Sequence, residues 1–201
     1  VVPGPGDVGR YNPHVHFLFV CTANICRSPM AAALLTRQIQ DLAEPVQVSS
    51  AGVLPGGSPV PDEVLRVMAP FGIDLTEHRS QTLSAPMLQQ CDLVIGMGRR
   101  HIQEAILLDP PCWPQVFTLK ELVRRSGEIG PRRPGQGIRS WIEAAQGDRT
   151  RDSLAHRAAA DEIADPYGHS FERYQQTAAE LTRLTAQLAG ALWPDEVRHP
   201  A

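Results

Sequence analysis

HFLFVCTANICRSPMAAALL, residues 16–35, decides the fold. HFLFV (16–20) is a short continuous apolar run, the pattern of a strand buried on both faces of a sheet. CTANICR (21–27) is small and polar, and reads as a loop. Ser28 and Pro29 then open a helical stretch, with Ser28 as N-cap and Pro29 at the first helical position. A tight loop between a strand end and a helix start turns its backbone N–H groups toward one point. The helix N-terminus adds its unpaired N–H groups and dipole, and the result is an anion site. Arg27 can hold two oxygens of a tetraoxyanion with its planar fork. Cys21 sits in the same positive potential, which favours its thiolate. A thiolate at the bottom of a phosphate cradle is a nucleophile aimed at phosphorus. Cys-x5-Arg alone also fits a structural cysteine beside a helix start; the strand before it and the helix after it favour the cradle.

Outward from this segment, strands and helices alternate. VQVSS (46–50), CDLVIGM (91–97) and QVFTL (115–119) read as strands. PDEVLRVMAPFG (61–72) reads as a helix with Pro at its start and Gly72 just past its end. RRHIQEAILL (99–108) is a second, and residues 119–125 give a helical turn or two. From about 170 to 192 a long helix returns, with Phe171, Tyr174, Leu181, Leu184 and Leu188 at helical spacing. This order predicts an α/β fold: a parallel sheet flanked by helices on both faces, with right-handed crossovers. Residues 15–193 form one domain, between a flexible leader (1–14) and a tail (194–201). Residues 126–152 break the rhythm as a Pro/Gly/Arg-rich insertion, too polar for core, apart from a short amphipathic helix at IRSWIEAAQ. The expectation is a solvated, mobile insertion. The competing reading is a basic lip of Arg124, Arg125, Arg132, Arg133 and Arg139 that docks an acidic or phosphorylated partner.

Composition excludes several classes. The 201 residues carry 19 basic and 22 acidic side chains, net −3, so no broad basic field exists for nucleic acid. No apolar run approaches the roughly 20 residues of a membrane span. Four cysteines without a CxxC pair make neither a disulfide scaffold nor a zinc site. The start, VVPGPGDVGRYNP, lacks the basic-then-apolar pattern of a signal peptide. The expectation is a cytoplasmic protein, monomeric by default, with no metal and no cofactor.

The segment Cys21–Met30 resembles the signature loop of the low-molecular-weight protein tyrosine phosphatases. The resemblance continues at Ser50-Ala51-Gly52, at Gly72 to Leu75 with His78-Arg79-Ser80, and at Cys91 to Ile95. It closes at Asp165-Pro166-Tyr167, followed by Phe171. It implies a four-stranded parallel sheet with the phosphate-binding loop after the first strand, and hydrolysis of phosphotyrosine monoesters in proteins through a cysteinyl phosphate. A cognate kinase would supply the substrate. In this reading Cys21 attacks and Arg27 holds the phosphoryl oxygens. Thr22, Ala23, Asn24, Ile25, Cys26, Arg27 and Ser28 form the phosphate loop. Ser28 donates to the Cys21 sulfur. Asn24 fixes the loop shape in a network with Ser50 and His78; an Asn tolerates a left-handed backbone better than most residues.

Cleavage of the ester also needs a proton for the leaving oxygen. The resemblance gives that role to Asp165, with Asp161 four residues earlier expected on the surface. Ile25, Leu54 and Tyr167 would line the substrate pocket, Tyr167 packing on an aromatic leaving group. Family members often carry a second aromatic after this Tyr and another after Ser-Ala-Gly. Gly168 and Val53-Leu54-Pro55 stand there instead, so the pocket is wider or less aromatic than usual. Cys26 either forms a reversible disulfide with Cys21 under peroxide or packs under the loop.

Three alternatives are weighed against this reading. Thioredoxin-coupled arsenate reductases share the cradle but need further cysteines after the third strand; Cys91 precedes that strand and Cys112 has no partner at the right spacing. Phosphoarginine phosphatases carry Thr where Ile25 stands. A non-catalytic phosphate-binding module would keep Arg27 and lose Cys21 or Asp165.

Overall fold

β1, Val15–Cys21, sends successive side chains to opposite faces of a sheet. Phe17 and Phe19 enter one apolar cluster, Leu18 and Val20 the other, and all four are fully buried. With both faces covered, every position must be apolar, which is why the sequence shows a run rather than an alternation. The computed structural model describes residues 15–151, 159–194 and 196. The expected leader, residue 152 and most of the tail lie outside the described residues.

β2 (Val46–Gly52) and β3 (Leu93–Gly96) flank β1, and β4 (Val116–Thr118) pairs with β3. All three pairings are parallel, in the order β2-β1-β3-β4. The register sets Cys21 opposite Gly52 and Val20 opposite Gly96, so the carboxyl ends of three strands meet at one edge. Open α/β sheets place their ligand crevice there. Among the described residues seven α-helices alternate with and follow the strands: α1 (Arg27–Gln38), α2 (Asp62–Met68), α3 (Ala85–Gln90), α4 (Arg99–Leu108), α5 (Leu119–Ile129), α6 (Ile138–Gln146) and α7 (Phe171–Leu192). α1, α5 and α7 bury Leu35, Leu122 and Leu181 against the Phe17 face. α3 and α4 bury Leu88 and Ile102 against the Leu18 face. Gly72 ends the turn after α2 in the left-handed conformation, φ 66°, as its position predicts. Tyr174, Leu181, Leu184 and Leu188 are the buried stripe of α7.

Four expectations need correction. Ser28 is not the N-cap of α1: the helix starts at Arg27, Cys26 caps it, and the Ser28 hydroxyl serves the Cys21 sulfur instead. Pro29 is tolerated because its missing N–H lies among those that a first turn leaves unpaired. α3 was not foreseen; it has six residues and buries only Leu88, too little for a periodic signal. α5 runs on to Ile129, its buried stripe continuing through the polar Ser126.

The insertion, finally, is not a solvated lip over its described part. Ile138, Trp141, Ile142 and Ala145, spaced 0, 3, 4 and 7, are buried in the main core. The Trp141 indole donates to the Gly130 carbonyl at 3.1 Å. Four of the five arginines of the supposed lip are ion-paired: Arg124 to Asp161, Arg125 to Asp148, Arg132 to Glu44 and Arg139 to Asp92. Pro and Gly punctuate the segment without unfolding it.

Candidate active site

The cradle follows from how β1 ends. Beyond Cys21 the chain must reverse within five residues to start α1, and Asn24 makes the turn at φ 55°. Its side chain is fully buried and fully used. Nδ2 donates to Ser28 Oγ at 2.9 Å and to Ser50 Oγ at 2.8 Å, while Oδ1 accepts from the Gln81 amide at 2.9 Å. The His78 Nε2–H donates to the Asn24 carbonyl at 2.8 Å, which sets the His78 tautomer. Gly52 closes the floor. A Cβ there would stand 2.8 Å from the Ala23 carbonyl carbon and from the Asn24 nitrogen, and 2.9 Å from the Thr22 oxygen. The expected network of Asn24, Ser50 and His78 is therefore assembled, and Gln81 joins it.

Cys21 is buried at the centre. Its Sγ accepts from the Asn24 amide at 3.2 Å and from the Ser28 hydroxyl at 3.0 Å. Both donors point at the sulfur. At Cys26 burial, with Asp165 and Cys21 nearby, pushes the thiol up to about 12. Arg27, in the first turn of α1, is 6% exposed. Its Nη2 donates to Thr22 Oγ1 at 3.1 Å and to Asp165 Oδ2 at 2.5 Å, and its Nη1 donates to the Ile163 carbonyl at 3.3 Å. Nε is buried with no protein partner, a donor left for an oxyanion. Asp165 thus joins the cradle from far along the chain, its side chain 46% exposed at the mouth. The Tyr167 amide donates to Asp165 Oδ1 at 3.2 Å.

The pocket residues are less enclosed. Tyr167 and Leu54 are exposed, at 61% and 45%, and Ile25 is half-buried against the main core. Val53 and Leu54 hang on the cradle through backbone N–H groups that donate to the Cys21 and Thr22 carbonyls.

Sequence reasoning missed two residues. His101, in the first turn of α4, is buried, with Nε2 3.0 Å from Thr22 Oγ1. Arg27 donates to the same oxygen, so Thr22 Oγ1 links His101 to the guanidinium. Burial and the charges of Arg27 and Arg100 lower its pKa to about 4. A signal existed: a histidine just past a strand's carboxyl end, where α/β sheets place function. The second is Asp161, expected on the surface and found 1% exposed between Arg99 and Arg124. One carboxylate among turn residues carries no mark of burial in a sequence.

A model of the low molecular weight phosphotyrosine protein phosphatases matches residues 16–133. The chain belongs to this family. It is similar to a probable low molecular weight protein-tyrosine-phosphatase of Ralstonia solanacearum, 40% identical over 106 residues, 52% of this chain and 70% of the relative. It is also similar to the protein-arginine-phosphatase of Bacillus subtilis, 32% identical over 89% of this chain and 97% of the relative. Among solved structures, the low molecular weight protein tyrosine phosphatase of T. tengcongensis superposes with a TM-score of 0.67. The pair is 30% identical, covering 89% of this chain and 99% of that one. Among the described residues no helix is long and apolar enough to cross a membrane.

Proposed function

We propose that this family member hydrolyses phosphotyrosine monoesters in proteins through a phosphate ester of Cys21. The observation that carries the reading is the convergence of a doubly hydrogen-bonded Cys21 sulfur, the Arg27 guanidinium and the Asp165 carboxyl on one cradle. In the first step Cys21 Sγ attacks phosphorus and the bond to the phenolic oxygen breaks. Asp165 delivers its proton to that oxygen, so tyrosine leaves neutral. Arg27 and the loop amides hold the equatorial oxygens as their charge grows. In the second step the Asp165 carboxylate takes a proton from water as the water oxygen attacks phosphorus. The S–P bond breaks, phosphate leaves, and the Ser28 hydroxyl receives the thiolate. Asn24, Ser50 and His78 hold the loop; Ile25, Leu54 and Tyr167 contact the substrate's side chain. The reaction needs no metal and no cofactor.

One chain supplies every group, which supports a monomeric enzyme, and a tyrosine kinase would be the counterpart. No disulfide joins the four cysteines, which supports a cytoplasmic placement.

A second reading, hydrolysis of phosphoarginine, is favoured by one observation: the similarity to the Bacillus arginine phosphatase spans 89% of the chain, that to the Ralstonia enzyme 52%. Against it stands Ile25, whose bulk narrows the mouth toward a branched guanidinium. Arsenate reduction has little support. Cys91 and Cys112 are buried at 3% and 2% in the cluster on the other face of the sheet, and burial pushes the Cys112 thiol up to about 12. An assay of aryl phosphate, phosphotyrosine peptide and phosphoarginine peptide, with arsenate reduction alongside, tests the proposal. Turnover of the first two is expected. Turnover of phosphoarginine peptide alone would replace the substrate.

A further inference from the structure

The run that leads into Asp165 is anchored at its start by buried charges. Asp161 Oδ2 accepts from Arg99 Nη2 at 2.7 Å and Nε at 3.0 Å, and Oδ1 accepts from Arg124 Nη1 at 3.0 Å. The Glu162 side chain accepts from the Arg99 amide at 2.9 Å, and its carbonyl from Lys120 Nζ at 2.7 Å. The Ile163 amide donates to the Met97 carbonyl at 2.9 Å. Arg99 and its neighbours thus hold the start of the run, while Arg27 holds its end at Ile163 and Asp165.

Arg99 stands between two buried carboxylates. Its Nη2 lies 2.7 Å from Asp161 and 3.9 Å from Glu121 Oε1. Glu121 takes its main partner from elsewhere, through Oε1, while Oε2 is buried without a protein partner. Arg149, in the chain beyond α6, donates from Nε to Glu121 Oε1 at 2.9 Å. Its other nitrogens are taken by the Val116 carbonyl at 2.6 Å and Gln146 Oε1 at 2.8 Å, and its plane lies 3.9 Å from the Phe117 ring centroid. Burial lowers its pKa only to about 10, so it stays charged at neutral pH. Arg125 also approaches Glu121, at 3.7 Å, but is held by Asp148 and the Ala145 carbonyl. Two buried acids, Asp161 and Glu121, thus face two buried bases, Arg99 and Arg149.

We infer that Arg149 is a positioning residue for Asp165: by occupying Glu121 it leaves Arg99 to Asp161, and so fixes the loop that carries the acid. The inference rests on the reading of Asp165 as proton donor. Without Arg149 a buried carboxylate loses its main partner, which is strongly unfavourable. Arg99 is the buried cation able to turn toward it, and the turn releases Asp161. The insertion then serves as a brace for the proton-transfer step, with the phosphate cradle untouched.

The test compares a phosphotyrosine peptide with an aryl phosphate whose phenol is acidic enough to leave without a proton. Arg149→Gln should lower kcat/KM on the peptide by on the order of tenfold, with kcat/KM on the activated ester, which reports only the first transfer and needs no proton, unchanged. Glu121→Gln added to Arg149→Gln removes the competing charge and should restore kcat/KM on the peptide. A merely structural Arg149 would give equal losses on both esters and a worse double variant, and either result overturns the inference. Should Arg149→Gln fail to fold by circular dichroism, Arg124→Gln decides. Arg124 is half-exposed and is the other clamp on Asp161, so a several-fold loss in kcat/KM confined to the peptide is expected; equal losses on both esters, or none, overturn the inference. Asp165→Asn run in parallel separates the two readings. If it shows no leaving-group dependence, the acid is misassigned. If it does and the brace variants do not, the brace is wrong.

Discussion

Arg27 Nη2 lies 2.5 Å from Asp165 Oδ2, across 138 positions of sequence. One guanidinium therefore binds the phosphate loop, through Thr22, and the acid loop, through Asp165 and the Ile163 carbonyl. A phosphoryl group entering the cradle competes with the Asp165 carboxylate for the same nitrogen. Removing the charge at position 165 would weaken that competition.

Asp165→Asn should accordingly have two opposite effects. Inorganic phosphate or vanadate should bind several-fold more tightly at neutral pH, since a negative charge leaves the mouth. Turnover of phosphotyrosine should fall by about 10²–10⁴-fold, the usual worth of acid–base catalysis, with a smaller loss for acidic phenols. Calorimetric titration and steady-state kinetics measure both. Weaker oxyanion binding would mean that Asp165 supports the site rather than competing for it.

Asn24 offers a test of the loop's shape. Asn24→Ala leaves Ser28, Ser50 and the Gln81 amide without their partner, and should cost roughly 2–4 kcal/mol of stability by denaturant unfolding. Asn24→Gly loses the same bonds but adopts φ 55° freely, and should be about 1 kcal/mol more stable than the Ala variant. Equal stabilities would show that the left-handed turn is not under strain.

His101 makes stability depend on pH. Its pKa is about 4 folded against an ordinary 6.5, so between these values the unfolded chain binds more protons. Its contribution is complete above pH 6.5, falls as pH drops toward 4, and amounts to about 3 kcal/mol over the window. His16, also lowered by burial, adds to the same trend. His101→Gln keeps a hydrogen-bonding group for Thr22 without a titrating one, and its midpoint should vary less between pH 6.5 and 4 than the parent's. Parallel curves would remove His101 from the account.

The basic architecture was legible because its physics is local. The run of Phe17 to Val20 announces a strand covered on both faces, and Cys-x5-Arg before Ser-Pro announces the cradle. What escaped depends on distant partners. Ser28 reads as a cap, yet its hydroxyl faces a sulfur seven residues back. Asp161 and Arg149 look like solvated charges, because nothing nearby in sequence shows that Arg99 and Glu121 await them inside. His101 could have been flagged by its place after β3, but its bond to Thr22 spans 79 positions.

Substrate choice turns on Ile25. Ile25→Thr removes apolar volume and adds a hydroxyl that can bond the phosphoramidate or a water. The ratio of phosphoarginine to phosphotyrosine kcat/KM should rise by on the order of tenfold, about 1.4 kcal/mol. Because Ile25 is half-buried against the core, an unchanged ratio would place its side chain on the loop's underside, away from substrate.

The covalent intermediate is the central claim. Rapid acid quench of the Asp165→Asn enzyme during turnover of an activated aryl phosphate, followed by mass spectrometry of its peptides, tests it most directly. The account predicts one phosphoryl group on the peptide containing Cys21, and none on it in the Cys21→Ser, Asp165→Asn double variant, which should still bind vanadate. Phosphate found on another residue, or steady turnover by Cys21→Ser alone, would contradict it.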